Sequence, residues 1–183
     1  NVAEANHTEK RSSESVRVGS KLFFDCPKPK DSGRYTCLAN NSKYQVISTF
    51  DLIVEEAGKI ATNQNVSLCE LKKNGSSPAR INLWTQVMFA MIGSDVKLNC
   101  RSSGNPKPSV TWFKSNICDE SRSDEQILIE NSDKYTIEEN GDLIIKNMKW
   151  TDVNEYHCFV ENQYNSEVTT AVVYPIAPET THS

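Results

Sequence analysis

The chain has 183 residues, 37% of them hydrophobic and 24% charged, and a formal net charge of -4. This length fits one large domain or two small ones, and the acidic balance excludes the broad basic surface that nucleic-acid binding needs. The longest apolar run, residues 87–92, is too short to cross a bilayer. The composition therefore predicts a globular chain with no nucleic-acid partner and no membrane insertion.

Several features of the sequence favour export. The chain begins at Asn1 rather than Met, which fits removal of a signal peptide or a truncated form. It has 6 cysteines, none of them in a C-x-x-C pair. The sequons that would accept N-linked glycans begin at Asn6, Asn40, Asn65 and Asn74. Disulfides and such glycans belong to an oxidising compartment, so we expect an extracellular, secreted protein.

The first strong fold signal lies near the N-terminus. Asp31, Tyr35 and Cys37 form a D-x-x-x-Y-x-C pattern, which is typical of the corner between strands E and F in an immunoglobulin sandwich. An alternating run over residues 44–54 follows as a strand. We assign residues 1–56 to an immunoglobulin-like domain and expect Tyr35 in its structural core.

Residues 57–79 are polar, lack strand alternation and are predicted to be a linker. They contain two of the sequons and one cysteine, Cys69. If Cys69 is bonded to the first domain, the linker is tethered rather than freely flexible.

Residues 80–176 contain about seven short strand candidates separated by turn signals, which is the count of a β-sandwich. These candidates are residues 81–91, 95–100, 109–113, 135–137, 143–148, 155–160 and 168–174. Trp112 follows Cys100 by twelve residues, and Cys158 follows Cys100 by 58, preceded by Tyr156. These spacings predict a complete immunoglobulin-like domain with a Cys100–Cys158 bond and with Trp112 and Tyr156 in its core. Residues 177–183 are a tail.

An internal repeat predicts that the first domain is incomplete in this chain. At an offset of 121 residues the following pairs align: Asp31 with Asp152, Tyr35 with Tyr156, Cys37 with Cys158, and Cys26 with Asn147. Cys26 therefore follows strand E and is not the strand B cysteine. The 58-residue spacing places the expected partner of Cys37 before Asn1. We predict strands of about D to G in residues 1–56, with their apolar inner face exposed or covered by something else.

Four cysteines remain once Cys100 and Cys158 are paired, with three possible pairings. Cys26 and Cys69 both lie at the periphery of the first domain, which favours a bond between them. Cys37 then lacks a partner in the chain. Cys118 lies in the polar stretch 115–126, which is predicted to be a long loop. It has no obvious partner in the chain, so a free thiol and an intermolecular disulfide bond are the two alternatives.

Three patterns carry a more specific resemblance: V-R-V-x-S at residues 16–20 leading to Y-T-C at 35–37, the N-G-D-L-I-I-x-x-x-x-W-x-D-x-x-x-Y-x-C run at 140–158, and V-V-Y-P at 172–175. They resemble the secreted two-immunoglobulin proteins of invertebrates over residues 16–176. That family includes an ecdysone-inducible insect protein that binds insulin-like peptides and the nematode zig proteins, which are linked to maintaining axon position.

The resemblance implies an all-β fold of tandem immunoglobulin-like sandwiches of the I-set or C2 type, the first incomplete here. It also implies a peptide or protein ligand, either an insulin-like peptide or another immunoglobulin-superfamily protein. Cys26 and Cys69 resemble extra cysteines of the nematode branch, which supports their pairing. The chain departs from the family in its incomplete first domain and in having Cys118.

No catalytic or metal motif is found in the sequence. It lacks G-x-S-x-G, a cysteine with a plausible histidine partner, and a glycine-rich phosphate loop. The acidic stretch 119–125 lacks the spacing and central glycine of a calcium loop. His157 alternates with Cys158, so it is predicted to point away from the core into solvent. We expect no enzymatic activity and no cofactor.

The stretch 81–91 is the best candidate for recognition. Its alternation places Ile81, Leu83 and Phe89 on one face and leaves Trp84 and Met88 on the other. Aromatic and methionine side chains are enriched at interfaces, so Trp84 and Met88 are candidate binding residues, although packing at the domain junction is the stronger alternative.

The sequence thus favours a secreted binding protein that sequesters an insulin-like peptide. Adhesion or maintenance of neuronal axon position is the first alternative. A fragment of a growth-factor receptor ectodomain is the second, suggested by the C-F-V-E-N-Q-Y run at residues 158–164.

Overall fold

The computed structural model describes residues 15–41, 43–55, 68–115 and 126–177. Predictions for Asn6, Asn65, Cys118 and residues 178–183 lie outside the described residues. The chain forms two compact units. The first contains Phe23–Gly75, and the second contains the chain from Ser76 onward together with the strand β1 (Ser15–Ser20).

The first unit is built on one antiparallel hairpin. A 3-10 turn at Pro29–Asp31 leads into β2 (Gly33–Asn40), which pairs with β3 (Gln45–Leu52). A short helix, α1 (Leu68–Lys73), lies within the predicted linker. Its two lysines in the last turn complement the negative end of the helix dipole.

A disulfide bond between Cys26 and Cys69 joins α1 to the chain before the 3-10 turn. Lys72 Nζ adds a second link by donating a hydrogen bond to the carbonyl oxygen of Asp25 at 3.0 Å. The bond closes a separation of 43 residues, and loop-closure entropy assigns such a bond roughly 4 kcal/mol of stabilisation. The predicted linker is therefore tethered through this helix.

The second unit consists of one three-stranded sheet and one seven-stranded sheet. The smaller sheet has the order β5 (Val96–Leu98), β10 (Leu143–Ile145), β9 (Tyr135–Ile137). The larger sheet has the order β1, β4 (Ser77–Met91), β12 (Asn165–Ile176), β11 (Asn154–Asn162), β7 (Ser109–Ser115), β8 (Gln126–Ile129), with β6 (Cys100–Asn105) also paired to β4. Strand β8 begins inside the stretch that the sequence assigned to a loop.

The core of this unit has the expected composition. Cys100 and Cys158 form a disulfide bond, and both are fully buried with Trp112 and Tyr156. The Trp112 indole donates a hydrogen bond to the carbonyl oxygen of Gly141 at 2.9 Å. Gly141 has φ of +95°, and a Cβ there would lie 2.5 Å from the carbonyl oxygen of Cys100, so the turn requires glycine. These features define an immunoglobulin sandwich.

The 121-residue repeat is present in both units. The Tyr35 hydroxyl donates to the carbonyl oxygen of Asp31 at 2.7 Å, and the Tyr156 hydroxyl donates to that of Asp152 at 3.0 Å. The aligned residues Cys26 and Asn147 both have positive φ, 57° and 47°. The strand E equivalent differs, because β10 pairs with β5 and β9, whereas residues 21–24 form no strand.

The position of β1 differs from the sequence assignment of residues 1–56 to one domain. β1 pairs antiparallel with β4, from Ser15 opposite Phe89 to Ser20 opposite Leu83, and so completes the second unit. The predicted linker also ends earlier, because β4 begins at Ser77. Alternation in the sequence indicates an extended segment, but it does not identify the strand with which that segment pairs.

Replacing Tyr156 with Phe tests the buried corner. Burial raises the pKa of Tyr156 above its usual value, so the folded state retains the phenol proton when the unfolded state loses it. The contribution of Tyr156 to the free energy of unfolding is therefore fully present below about pH 10, and it is lost as the pH rises further. Y156F should cost about 1 kcal/mol at neutral pH through the lost hydrogen bond and should flatten the alkaline decline. Urea denaturation at a series of pH values measures the loss of stability at neutral pH and the slope of the alkaline decline. Y164F, at the exposed Tyr164, is the control. Parallel pH curves for wild type and Y156F would contradict the role assigned to the buried Tyr156 hydroxyl.

Candidate ligand-binding surface

The seven-stranded sheet has an outer face that points away from the core. On β11, Tyr156, Cys158 and Val160 are buried, so their neighbours Glu155, His157 and Phe159 point outward. The strand registers place further side chains beside them. We call this set the outer face; it comprises Val87, Phe89, Thr111, Phe113, Ser115, Leu128, Glu155, His157, Phe159, Val168, Thr170, Val172 and Tyr174.

The outer face is rich in exposed apolar groups. Val168 is 64% exposed, and Leu128, Phe89 and Tyr174 are also exposed. The rings of Phe89 and Tyr174 stack with their centroids 5.3 Å apart. Two acidic side chains, Glu155 within the set and Glu161 two positions beyond Phe159 on β11, lie on the same side of the sheet. Exposed aromatic and aliphatic side chains of this kind are suited to anchoring a protein or peptide partner.

His157 lies within the outer face and forms a polar row across three strands. Its Nε2 is 2.8 Å from Ser115 Oγ, and its Nδ1 is 3.0 Å from Thr170 Oγ1. The side chain points away from the core, as predicted, but neighbouring side chains leave it only 15% exposed. The row therefore joins β7, β11 and β12 rather than presenting a solvated imidazole.

The same row does not reproduce a catalytic triad. In a triad a carboxylate orients the histidine nitrogen that faces away from the nucleophile. Here the Thr170 hydroxyl occupies that position, and Glu155 Oε2 lies 3.8 Å from Nε2, the nitrogen that faces Ser115. Ser115 is itself buried. The arrangement can offer hydrogen bonds within an apolar surface, but it presents no accessible nucleophile.

Trp84 and Met88, the recognition candidates from the sequence, have partners inside the second unit. Both are half-buried and pack against its core. Trp84 also packs on β1, since a Cβ at Gly19 would lie 2.3 Å from its ring, and Lys21 Nζ lies 5.1 Å from the ring centroid. Phe89, on the opposite face of β4 by alternation, is exposed, whereas Ile81 is buried on the same side as Trp84 because the register of β4 shifts between Ile81 and Leu83.

The predicted glycosylation sites and the unpaired cysteine lie outside the outer face. Of the sequons, Asn40 on β2 and Asn74 after α1 are exposed, and their glycosylation stays a prediction. Among the cysteines that the structure describes, Cys37 is the one without a disulfide bond, and it is exposed. Within residues 15–41, 43–55, 68–115 and 126–177, no three His, Cys, Asp or Glu side chains cluster as metal ligands would. No helix in those ranges is long and apolar enough to span a bilayer.

A cleft of about 390 Å³ lies elsewhere on the second unit, beside Arg101, Lys107 and Glu138. Two of its charges have partners: Arg101 pairs with the buried Asp142 at 3.2 Å, and Lys97 Nζ donates to Glu138 at 2.6 Å. That hydrogen bond from Lys97 lowers the pKa of Glu138. The outer face remains the stronger candidate for binding.

Comparisons with known proteins place these features in context. Residues 78–162 match the immunoglobulin domain family. The chain is 32% identical over 160 residues to "Zwei Ig domain protein zig-4" of Caenorhabditis elegans, and 26% identical over 166 residues to zig-2 of the same organism. These alignments cover 87% and 91% of this chain, but 54% and 61% of the relatives. The chain thus spans little more than half the length of these relatives.

An insect protein is similar in both sequence and fold. The chain is 22% identical to "Neural/ectodermal development factor IMP-L2" of Drosophila melanogaster over 171 residues, which cover 93% of this chain and 58% of that protein. The crystal structure of IMP-L2 superposes with a TM-score of 0.72 at 21% identity, covering 96% of this chain and 76% of that one. At this identity the superposition establishes a shared fold.

The Trp84–Gly19 contact can be tested with Gly19→Val. The valine side chain would collide with the Trp84 ring, so β1 should lose its pairing with β4, at a cost of roughly 1–3 kcal/mol. Hydrogen exchange should show faster exchange of the β1 amides while the β11 amides stay protected. Ser20→Val, at an exposed neighbouring position, is the matched control. Equal protection of β1 in the two variants would refute the contact.

Proposed function

Since this chain is an immunoglobulin-domain protein of the two-immunoglobulin family of nematodes and insects, we propose that it is a secreted binding protein that sequesters an insulin-like peptide. The observation that carries the proposal is the outer face of the second unit. The relation to the insect branch of the family supports the choice of ligand.

The outer face has the physical properties that a peptide-binding surface needs. The stacked pair Phe89 and Tyr174 offers rigid aromatic area, and Val168 and Leu128 extend the apolar surface across the sheet. Burying such groups against a partner removes apolar area from water, at about 25 cal/mol per Å² before the cost of association is subtracted. A folded peptide hormone with an apolar patch is a suitable partner.

The edge of the larger sheet offers a second mode of contact. Strand β8 is the last strand in the sheet order and is paired with β7 along one side. Its Ile127 and Leu128 are exposed. An extended peptide segment can pair with such an edge through main-chain hydrogen bonds while neighbouring side chains select its sequence. Binding would then combine sheet extension with the outer face.

Two observations support an extracellular location. The bonds Cys26–Cys69 and Cys100–Cys158 are of a kind that persists in oxidising compartments. The exposed sequons at Asn40 and Asn74 would accept glycans in the secretory pathway. We propose binding rather than catalysis, because immunoglobulin domains serve as binding modules and Ser115, the one serine beside His157, is buried.

A second candidate is maintenance of neuronal position through another immunoglobulin-superfamily protein, as for the nematode zig proteins. The identity of 32% to zig-4, against 22% to IMP-L2, favours this alternative. The same outer face would then contact a protein domain rather than a peptide hormone. Binding to immobilised immunoglobulin-superfamily ectodomains, with no binding to insulin-family peptides, would select it.

Isothermal titration with insulin-family peptides tests the first proposal. We expect binding at micromolar concentration or tighter. Val168→Glu should weaken it at least tenfold, because a charge is placed within the apolar contact, and tenfold corresponds to about 1.4 kcal/mol. Lys146→Glu, at an exposed position after β10, is a charge-change control and should bind as wild type does. Absence of binding at micromolar concentration would reject the hormone proposal, and equal loss in both variants would reject the outer face.

A further inference from the structure

The hairpin of the first unit carries an exposed aliphatic pair on the same side as a sequon. The β2–β3 register places Leu38 opposite Ile47 and Asn40 opposite Gln45. Alternate residues of a strand share a face, so these four side chains lie on one side of the hairpin. Leu38 is 54% exposed and Ile47 is 60% exposed. We call this side the sequon face; its members are Thr36, Leu38, Asn40, Gln45, Ile47 and Thr49.

The 121-residue repeat identifies the sequon face as an outer side of the fold. At this offset Leu38 aligns with Phe159. Ile47 aligns with Val168, which lies opposite Phe159 in the β11–β12 ladder. Both aligned residues belong to the outer face of the second unit, where Val168 is exposed although the sandwich beneath it is closed. The exposure of the Leu38–Ile47 pair therefore follows from the side of the strand on which it lies.

The surroundings of the aliphatic pair are polar but uncharged. Thr36, Thr49 and Gln45 are exposed beside it. The charged residues of the two strands, Arg34 and Asp51, bind each other through two hydrogen bonds, from Nε to Oδ1 at 2.9 Å and from Nη2 to Oδ2 at 3.2 Å. An apolar centre with amide and hydroxyl groups around it matches a sugar ring, which has C–H groups on its faces and hydroxyl groups at its rim.

Asn40 lies close enough to the aliphatic pair for a sugar attached to it to reach both side chains. Residues two apart on a strand, such as Asn40 and Leu38, are separated by about 7 Å. Ile47 is the diagonal neighbour of Asn40 across the ladder, at a typical distance of about 7–8 Å. The first sugar of an N-linked glycan, joined to the side-chain nitrogen of Asn40, would extend over this distance.

We propose that the sequon N-N-S at residues 40–42 is glycosylated and that its first N-acetylglucosamine packs on Leu38 and Ile47. The C–H face of the sugar ring covers the two aliphatic side chains and removes their apolar area from water. Gln45, opposite Asn40, offers an amide donor and acceptor to the acetamido group. The modification needs the secretory pathway proposed above, but its packing is independent of ligand binding by the second unit.

Attachment of the glycan is a group transfer from an oligosaccharide linked to a lipid diphosphate. The bond from Asn40 Nδ2 to C1 of N-acetylglucosamine forms as the bond from C1 to the diphosphate oxygen breaks. The lipid diphosphate leaves with the electron pair of the broken bond, and Nδ2 loses one proton. Asn40 is exposed, so its side-chain nitrogen is accessible to this transfer.

The equivalent position of the second unit has a different residue. Glu161 aligns with Asn40, and a carboxylate does not accept an N-linked glycan. The pair Phe159 and Val168 therefore has no sugar beside it on β11, and Val168 remains exposed. The same ladder position is covered by sugar in the first unit and is open to a ligand in the second.

Nuclear magnetic resonance of the full chain, isotope-labelled and secreted from yeast, tests the contact. Endoglycosidase H leaves a single N-acetylglucosamine on each occupied asparagine, and mass spectrometry should find Asn40 modified. We expect nuclear Overhauser effects between the ring protons of this sugar and the methyl protons of Leu38 and Ile47. Asn40→Gln should lack them. Asn74→Gln, which removes a sugar from the exposed sequon after α1, is the matched control and should retain them.

Hydrogen exchange of the same samples supplies the second readout. The β2 and β3 amides of the glycosylated wild type should exchange roughly threefold more slowly than those of Asn40→Gln, because covering the aliphatic pair opposes local opening. Leu38→Thr should abolish this difference, since the sugar loses its apolar contact. Thr49→Ala, at an exposed position of the sequon face farther from Asn40, should preserve it. Circular dichroism establishes that each variant keeps wild-type structure.

Three results would each overturn the proposal. The first is an unmodified Asn40 in the secreted chain. The second is a modified Asn40 whose sugar shows no nuclear Overhauser effect to Leu38 or Ile47. The third is an equal slowing of exchange by the glycan in wild type and in Leu38→Thr.

Discussion

The buried core of the second unit is built around the disulfide between Cys100, the first residue of β6, and Cys158 on β11. Trp112 fills the space beside the bond, and its indole hydrogen bond to Gly141 ties the turn before β10 to the core. Since these residues occupy the inner face, the alternate residues of β7, β11 and β12 must point outward. The apolar outer face therefore lies on the side of these strands opposite the side chains that pack around the disulfide bond.

The outer face also shows how a surface can be both structural and available to a partner. His157, Ser115 and Thr170 form a polar row that links three strands, while Phe89, Tyr174 and Val168 remain exposed around it. The polar groups of the row satisfy one another, so covering the face with a partner would leave few unpaired donors or acceptors. This arrangement suits recognition by apolar contact.

The two units use the same corner in different surroundings. In the second unit Tyr156 is buried beneath a complete sandwich, whereas in the first unit Tyr35 is shielded by Phe24 and Phe50. The corner is local, since it depends on residues within four positions of each other, and it forms in both contexts. The strand that precedes the corner needs a pairing partner, so it forms in one unit and not in the other.

The sequence alone determined the features that depend on characteristic spacing, namely the immunoglobulin signature around Trp112, the Cys100–Cys158 bond and the repeated corner, and it favoured the Cys26–Cys69 bond among three pairings. Tertiary structure decided the pairing of β1 with β4, the added strand β8, and which face of β4 is exposed. The physical reason is that strand pairing and register depend on partners distant in the chain. The register of β4 shifts between Ile81 and Leu83, so Ile81 and Trp84 both pack inward although alternation places them on opposite faces, and Phe89 is the exposed residue.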